Sequence, residues 1–181
     1  MKFLYVTIVL HLLFITRSFA QNQNAYASSD EPRQTQSQYE GMPPMPFQAF
    51  DMKGKTHTLA DYKGKVVVLA FWAAGDETSR NQIKSWNRLK KEFDAEEVAI
   101  ISLANENKSD LTSFLKNHQL EYPVIPNARP LGELGYGSDL GMSRVFILDQ
   151  TGVIKKVMVF DTEEEMNTYK TLRPIIQKMI E

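Results

Sequence analysis

The stretch Lys65-Val66-Val67-Val68-Leu69-Ala70-Phe71-Trp72-Ala73 decides the fold. It is a continuous apolar run, rich in β-branched residues and bounded by Gly64 and Gly75. A run without polar alternation predicts a strand covered on both faces, as at the centre of a sheet flanked by helices. From Thr78 the period changes. Ile83, Trp86, Leu89 and Phe93 recur at helical spacing, with Arg80, Lys84, Arg88 and Lys91 on the other faces.

Upstream, Pro43, Pro44 and Pro46 punctuate a lead-in segment. Phe47–Phe50 and Thr56–Leu59 then flank the turn cluster Asp51-Met52-Lys53-Gly54-Lys55 and predict a β-hairpin. Downstream, Val98–Leu103 reads as a second apolar strand, and Ser109 or Asp110 as the cap of a helix carrying Leu111, Phe114 and Leu115. After Tyr122-Pro123-Val124-Ile125 the spacing of Gly132, Gly135, Gly137 and Gly141 reads as a loop. Val145–Leu148 and Val153–Phe160 form a hairpin across Asp149-Gln150-Thr151-Gly152. Thr162-Glu163-Glu164-Glu165 reads as a capping box opening a last helix, with Met166, Tyr169 and Leu172 facing inward. Pro174 either kinks that helix or begins its final turn. The expected architecture is α/β: a mixed central sheet with helices on both faces and an N-terminal β-hairpin.

Composition narrows function by exclusion. The 181 residues carry 21 basic and 22 acidic side chains, a formal net charge of −1. That balance argues against nucleic acid as a partner, which needs a basic surface. There is no cysteine, so no disulfide, thiolate nucleophile or thiolate-ligated metal can form in this chain.

Residues 1–20 read as a secretory leader: Lys2 supplies the charge, Phe3 to Ile15 the apolar core, and Ser18-Phe19-Ala20 the small residues of a cleavage site. That core spans roughly 20 Å as a helix, short of the roughly 30 Å needed to cross a bilayer. No membrane span is expected after cleavage, and the protein is expected in the periplasm or cell envelope. Residues 21–40, rich in Gln, Asn and Ser, read as a flexible polar spacer, and 41–181 as the folded domain.

Four blocks in order resemble one family: Gly54-Lys55 before Leu59; Asp61-Tyr62-Lys63-Gly64-Lys65 running on to Leu69 and Phe71-Trp72-Ala73; Tyr122-Pro123-Val124; and Phe146-Ile147-Leu148-Asp149-Gln150-Thr151-Gly152. They are similar to the thioredoxin fold of the periplasmic TlpA/ResA-type thiol–disulfide oxidoreductases, beside the alkyl hydroperoxide reductase/thiol-specific antioxidant branch. The resemblance implies chemistry directly after Phe-Trp-Ala, in a Trp-Cys-x-x-Cys-Arg segment whose thiolate is stabilised by a helix N-terminus. Here Asp76 stands at the nucleophile, Ser79 at the resolving cysteine and Gly75 at the tryptophan, while Arg80 is kept and Lys84 replaces a proline. The family's cis-proline falls on Ser143. Without proline a cis bond costs about 2.5–4 kcal/mol, so Met142–Ser143 is expected to be trans.

The implied role is therefore a redox-inactive domain with no catalytic residue, no cofactor and no metal. It binds an envelope protein or extended peptide in a groove formed by Trp72, Ala73, Gly75, Asp76, Arg80, Met142, Ser143 and Arg144. Ser143 adds a backbone N–H for strand pairing, and Arg80 and Arg144 supply contacts to an acidic partner. Asp76 is expected to cap the following helix. A metal site from His57, Asp76, Glu77 and Met142 lacks the soft ligands that copper-binding relatives would supply. The alternatives are the family-level oxidoreductase or antioxidant activity, or a non-thiol enzyme at the same helix terminus. A nucleophilic Ser79 needs an adjacent base. His57, in the hairpin, and His118, late in a helix, are not expected near it.

Overall fold

The computed structural model describes residues 36–136, 143–160 and 168–181. Its elements run α1 (Gln36–Tyr39), β1 (Gln48–Phe50), β2 (Thr56–Thr58), β3 (Val66–Trp72), α2 (Glu77–Glu92), β4 (Val98–Ala104) and α3 (Lys108–Leu115). They continue as β5 (Val124–Ile125), α4 (Arg129–Gly135), β6 (Ser143–Leu148), β7 (Ile154–Phe160) and α5 (Thr168–Ile180). β1 and β2 form the hairpin; the main sheet has the order β5-β4-β3-β6-β7. β3, β4 and β5 are parallel, whereas β6 and β7 run antiparallel to their neighbours.

All seven residues of β3 are buried, as the unbroken apolar run predicts. Side chains of a strand alternate between faces. Val66, Val68 and Ala70 pack with Val98, Ile100, Val145 and Ile147 beneath Trp86 and Leu89 of α2 and Leu172 and Ile176 of α5. On the opposite face Phe71 and Phe146 meet Tyr136, with ring centroids 5.0 and 4.9 Å away, and Tyr39 of α1 packs edge-on against Phe146. Helical segments thus cover both sides of a mixed sheet.

The lead-in segment is part of this fold. Gly41 N–H donates to the carbonyl of Ile154, and Ile154 N–H returns a bond to the Met42 carbonyl, so the chain lies along the outer edge of β7. Further on, the Tyr136 hydroxyl donates to the Met45 carbonyl at 2.8 Å. A Cβ on Gly135 would stand 2.1 Å from the Met45 sulfur and 2.7 Å from its Cβ, so only glycine fits there.

Two expectations change, and a third is narrowed to one of its two alternatives. The glycine-marked loop contains α4: Pro130 in its first turn presets helical φ, Gly132 and Gly135 are buried, and at Gly135 a side chain would collide with Met45. Gly137 and Gly141 lie outside the described residues. The cap of α3 is Asn107, whose side chain accepts from Asp110 N–H at 3.0 Å, so the helix starts earlier than Ser109. Pro174 sits exposed inside α5 rather than opening its final turn. The capping box over residues 162–165, Met166 and the Met142–Ser143 bond fall outside the described residues.

The β6–β7 turn is organised by one carboxylate. Asp149 Oδ1 accepts from Thr151 N–H, Thr151 Oγ1–H and Val153 N–H, while Lys155 Nζ lies 3.1 Å from Oδ2. Burial opposes ionisation there, but hydrogen bonds from Thr151, Val153 and Lys155 outweigh it and hold the carboxyl at about 2. A depressed folded pKa contributes stability that is complete above the ordinary value and is lost as pH falls from about 4 towards 2. Asp149→Asn is expected to cost about 1 kcal/mol at neutral pH, after allowance for solvent screening. Urea titrations of both proteins should converge near pH 2.

Candidate functional site at the α2 N-terminus

β3 ends at Trp72 and α2 begins at Glu77, so Ala73–Asp76 must turn the chain at the C-terminal edge of the sheet. Asp76 is the N-cap: its Oδ2 accepts Ser79 N–H at 2.7 Å and the Ser79 hydroxyl at 2.6 Å. Ser79 is only 3% exposed, and its oxygen lies 3.4 Å from Ala73 N. The two positions that would hold sulfur in a dithiol site therefore face each other as a carboxylate and a hydroxyl.

The rest of the turn is equally committed. Glu106 Oε1 accepts Ala74 N–H at 2.6 Å, with Gly75 N 3.4 Å away. Arg80 Nη1 donates to the Ala74 and Gly75 carbonyls, both at 3.0 Å. Glu106 did not stand out in the sequence. Its signal lies in strand register: Trp72 pairs with Ala104, so the residue two beyond β4 lies beside the residue two beyond β3. Gln82 was also missed, although a polar side chain on the inward stripe Ser79-Gln82-Ile83-Trp86 marks it. It is fully buried, its Oε1 accepts the Ser143 hydroxyl at 2.7 Å, and its Nε2 has no partner among the described residues.

These contacts define where the residues of the expected groove lie. Trp72 is a core residue whose indole N–H donates to Ser102 Oγ and whose ring packs on Phe114. Ser143 is not in a loop but is the first residue of β6, in register with Phe160, with its side chain buried. Arg144 is 6% exposed and donates to the Tyr136 carbonyl at 3.0 Å. Arg80 is partly exposed at the rim, where its Nη1 is taken by the Ala74 and Gly75 carbonyls, whereas Arg144 is buried. Ala73 is half-buried, Asp76 is partly exposed and Gly75 is exposed. Met142 lies outside the described residues.

Neither histidine serves Ser79. His57 is buried in β2, with Nε2 2.9 Å from Asp51 Oδ2 and Nδ1 bonded to the Tyr62 hydroxyl. Burial opposes ionisation of Asp51, but the His57 hydrogen bond and the N–H groups of Lys55 and Lys53 draw its pKa down. Burial pushes the Tyr62 phenol up to about 12, helped by Asp61 and Asp51. The cluster pins the hairpin to the turn that feeds β3. His118 stacks on Phe114 and bonds its carbonyl. Among the described residues, no three His, Asp or Glu side chains gather as a metal site. A cavity with room for about one water lies under Ser79, walled by Ala70, Ile83, Trp86 and Ser102.

The strand order, the hairpin and a helix starting directly beyond the central strand define a thioredoxin-like domain whose helix terminus carries no thiol. The chain belongs to the AhpC/TSA family, whose model matches residues 41–157, on its TlpA/ResA-type thioredoxin-like side. It is 30% identical over 127 residues to the thiol-disulfide oxidoreductase ResA of Bacillus thuringiensis subsp. konkukian, covering 68% of this chain and 72% of that protein. Against the thioredoxin-like protein YneN of Bacillus subtilis it is 27% identical over 135 residues, 70% and 76% of the two chains. The fold is similar to a putative thiol:disulfide interchange protein DsbE from Chlorobium tepidum, with a TM-score of 0.70 and 22% identity, covering 78% of this chain and 98% of that one. A putative protein disulfide isomerase from Bacteroides thetaiotaomicron gives 0.65 and 26%, covering 78% and 89%.

Removing the cap strands both Ser79 donors in a buried setting. Asp76→Ala is expected to lower unfolding free energy by about 1–2 kcal/mol in chemical denaturation. A more stable variant would show that Asp76 is held there for something other than the fold.

Proposed function

We propose that this chain is an exported, redox-inactive member of its family that keeps the fold as a protein-binding or scaffolding module. The observation that carries this reading is the Asp76–Ser79 hydrogen bond at the helix start, in a chain without cysteine. Thiol–disulfide exchange proceeds through a mixed disulfide, and the sulfur it requires is missing. The Ser79 hydroxyl is held by the carboxylate that caps the helix, and His57 and His118 are bonded elsewhere. Export rests on the leader-like residues 1–20.

The partner is an envelope protein or extended peptide held at the sheet edge where Ala73–Asp76 emerge. That edge also carries α4, tied to the end of β4 by the bonds from Asn127 N–H to the Glu106 carbonyl and from Ala128 N–H to the Ala104 carbonyl. Leu134 on α4 is 67% exposed, one of two large apolar side chains so exposed among the described residues. With the turn's polar groups satisfied internally, Leu134 and the bare backbone of Gly75 are what this edge offers a partner.

Two measurements test the reading. The purified protein should neither reduce insulin with dithiothreitol nor turn over peroxide above a heat-denatured control; catalysis in either assay would refute inertness. A photoreactive residue at position 134 should crosslink one dominant envelope protein, and one at position 96, on the opposite sheet edge, should not. Equal capture at both positions rules out the edge as the docking surface.

A further inference from the structure

Away from the helix terminus, three titratable side chains form a relay. His57 and Asp51 are 2% and 5% exposed, whereas Tyr62, in the turn between β2 and β3, is half-buried. An ionised carboxylate can only accept, so the His57 Nε2 that lies 2.9 Å from Asp51 Oδ2 carries a hydrogen. In the neutral ring Nδ1 is then an acceptor, and the Tyr62 hydroxyl donates to it. The other oxygen of Asp51 accepts Lys53 N–H and Lys55 N–H, both at 2.9 Å, which fixes the carboxylate and through it the imidazole. A hydroxyl, a base within hydrogen-bond reach and a third group that orients the base are the parts of an activated side chain.

The surroundings select the chemistry. Burial and the Asp61 and Asp51 carboxylates push the Tyr62 phenol up to about 12, which opposes a phenolate nucleophile. A tyrosyl radical is neutral, so the same carboxylates do not oppose it. The imidazolium formed alongside it would lie against Asp51, which favours it. We infer that Tyr62 is a one-electron donor to outer-sphere oxidants, with His57 as the acceptor of its proton. The oxidant takes one electron from the phenol ring, the O–H bond breaks, and the proton crosses to His57 Nδ1. Tyrosine, neutral histidine and oxidant thus give tyrosyl radical, imidazolium and reduced oxidant. Return of one electron to the radical brings the proton back to Tyr62. Burial of His57 keeps that proton between its two partners. This one-electron chemistry is separate from the dithiol exchange that the chain lacks, and it does not rest on the docking reading.

The test uses the full chain and photogenerated tris-bipyridine ruthenium(III), which accepts an electron but no proton, in weakly buffered solution near neutral pH. Transient absorption follows the tyrosyl radical, and spin-trap adducts mapped by peptide mass spectrometry locate it. Tyr62 should carry the dominant tyrosine adduct and form its radical at least about tenfold faster than N-acetyltyrosinamide, which has no attached base. Tyr62→Phe should remove that phase. His57→Gln keeps a donor and an acceptor but no base, and should slow the phase at least about tenfold, with circular dichroism verifying the fold. In the unmutated chain, heavy water should slow the Tyr62 phase, which keeps the proposal open to refutation if His57→Gln does not fold. Adducts no richer at Tyr62 than at Tyr169, a Tyr62 phase indifferent to heavy water, or a folded His57→Gln as fast as the unmutated chain overturns it.

Discussion

The rest of the rim depends on the burial of β3 between two layers. A strand covered on both faces and paired on both edges leaves its polar backbone no partner except other strands, and that ladder ends at Trp72. The chain must then turn, start a helix and satisfy every exposed amide within four residues. Glu106 reaches back from the end of the neighbouring strand, Arg80 folds over the turn's carbonyls, and Asp76 closes the helix start. The backbone at the rim has three side chains assigned to it, and no atom of that assignment requires sulfur.

This frames what the substitutions accomplish. A helix N-terminus favours negative charge whether it sits on sulfur or oxygen. The resembling family places a thiolate in that field; this chain places the Asp76 carboxylate there and lets it accept two bonds from Ser79. The electrostatic socket survives while the electron-pair donor that attacks disulfides is gone. Ser143 follows the same logic, since its hydroxyl spends itself on Gln82 in the interior.

What could be read from the residues was whatever depends on local pattern. The central strand, both hairpins, the inward stripe of α2 and its Asp76 cap follow from periodicity and capping chemistry over a few residues. α4 did not, because the reason for Gly135 is Met45, far away in sequence but in contact after folding. Glu106 needed the β3–β4 register. Arg144 reads as a surface cation until the Tyr136 carbonyl is found beside it.

The lead-in segment along β7 bears on how the sheet's outer edge is covered. An uncovered sheet edge is a template for pairing with another chain, and natural proteins block such edges. Gly41 and Met42 occupy the backbone of Ile154, and Glu40 adds a side-chain bond to Val157 N–H and an ion pair with Lys156. A few residues ahead of the hairpin thereby occupy, at Ile154 and Val157, backbone groups of the outer strand that would otherwise face outward at that edge.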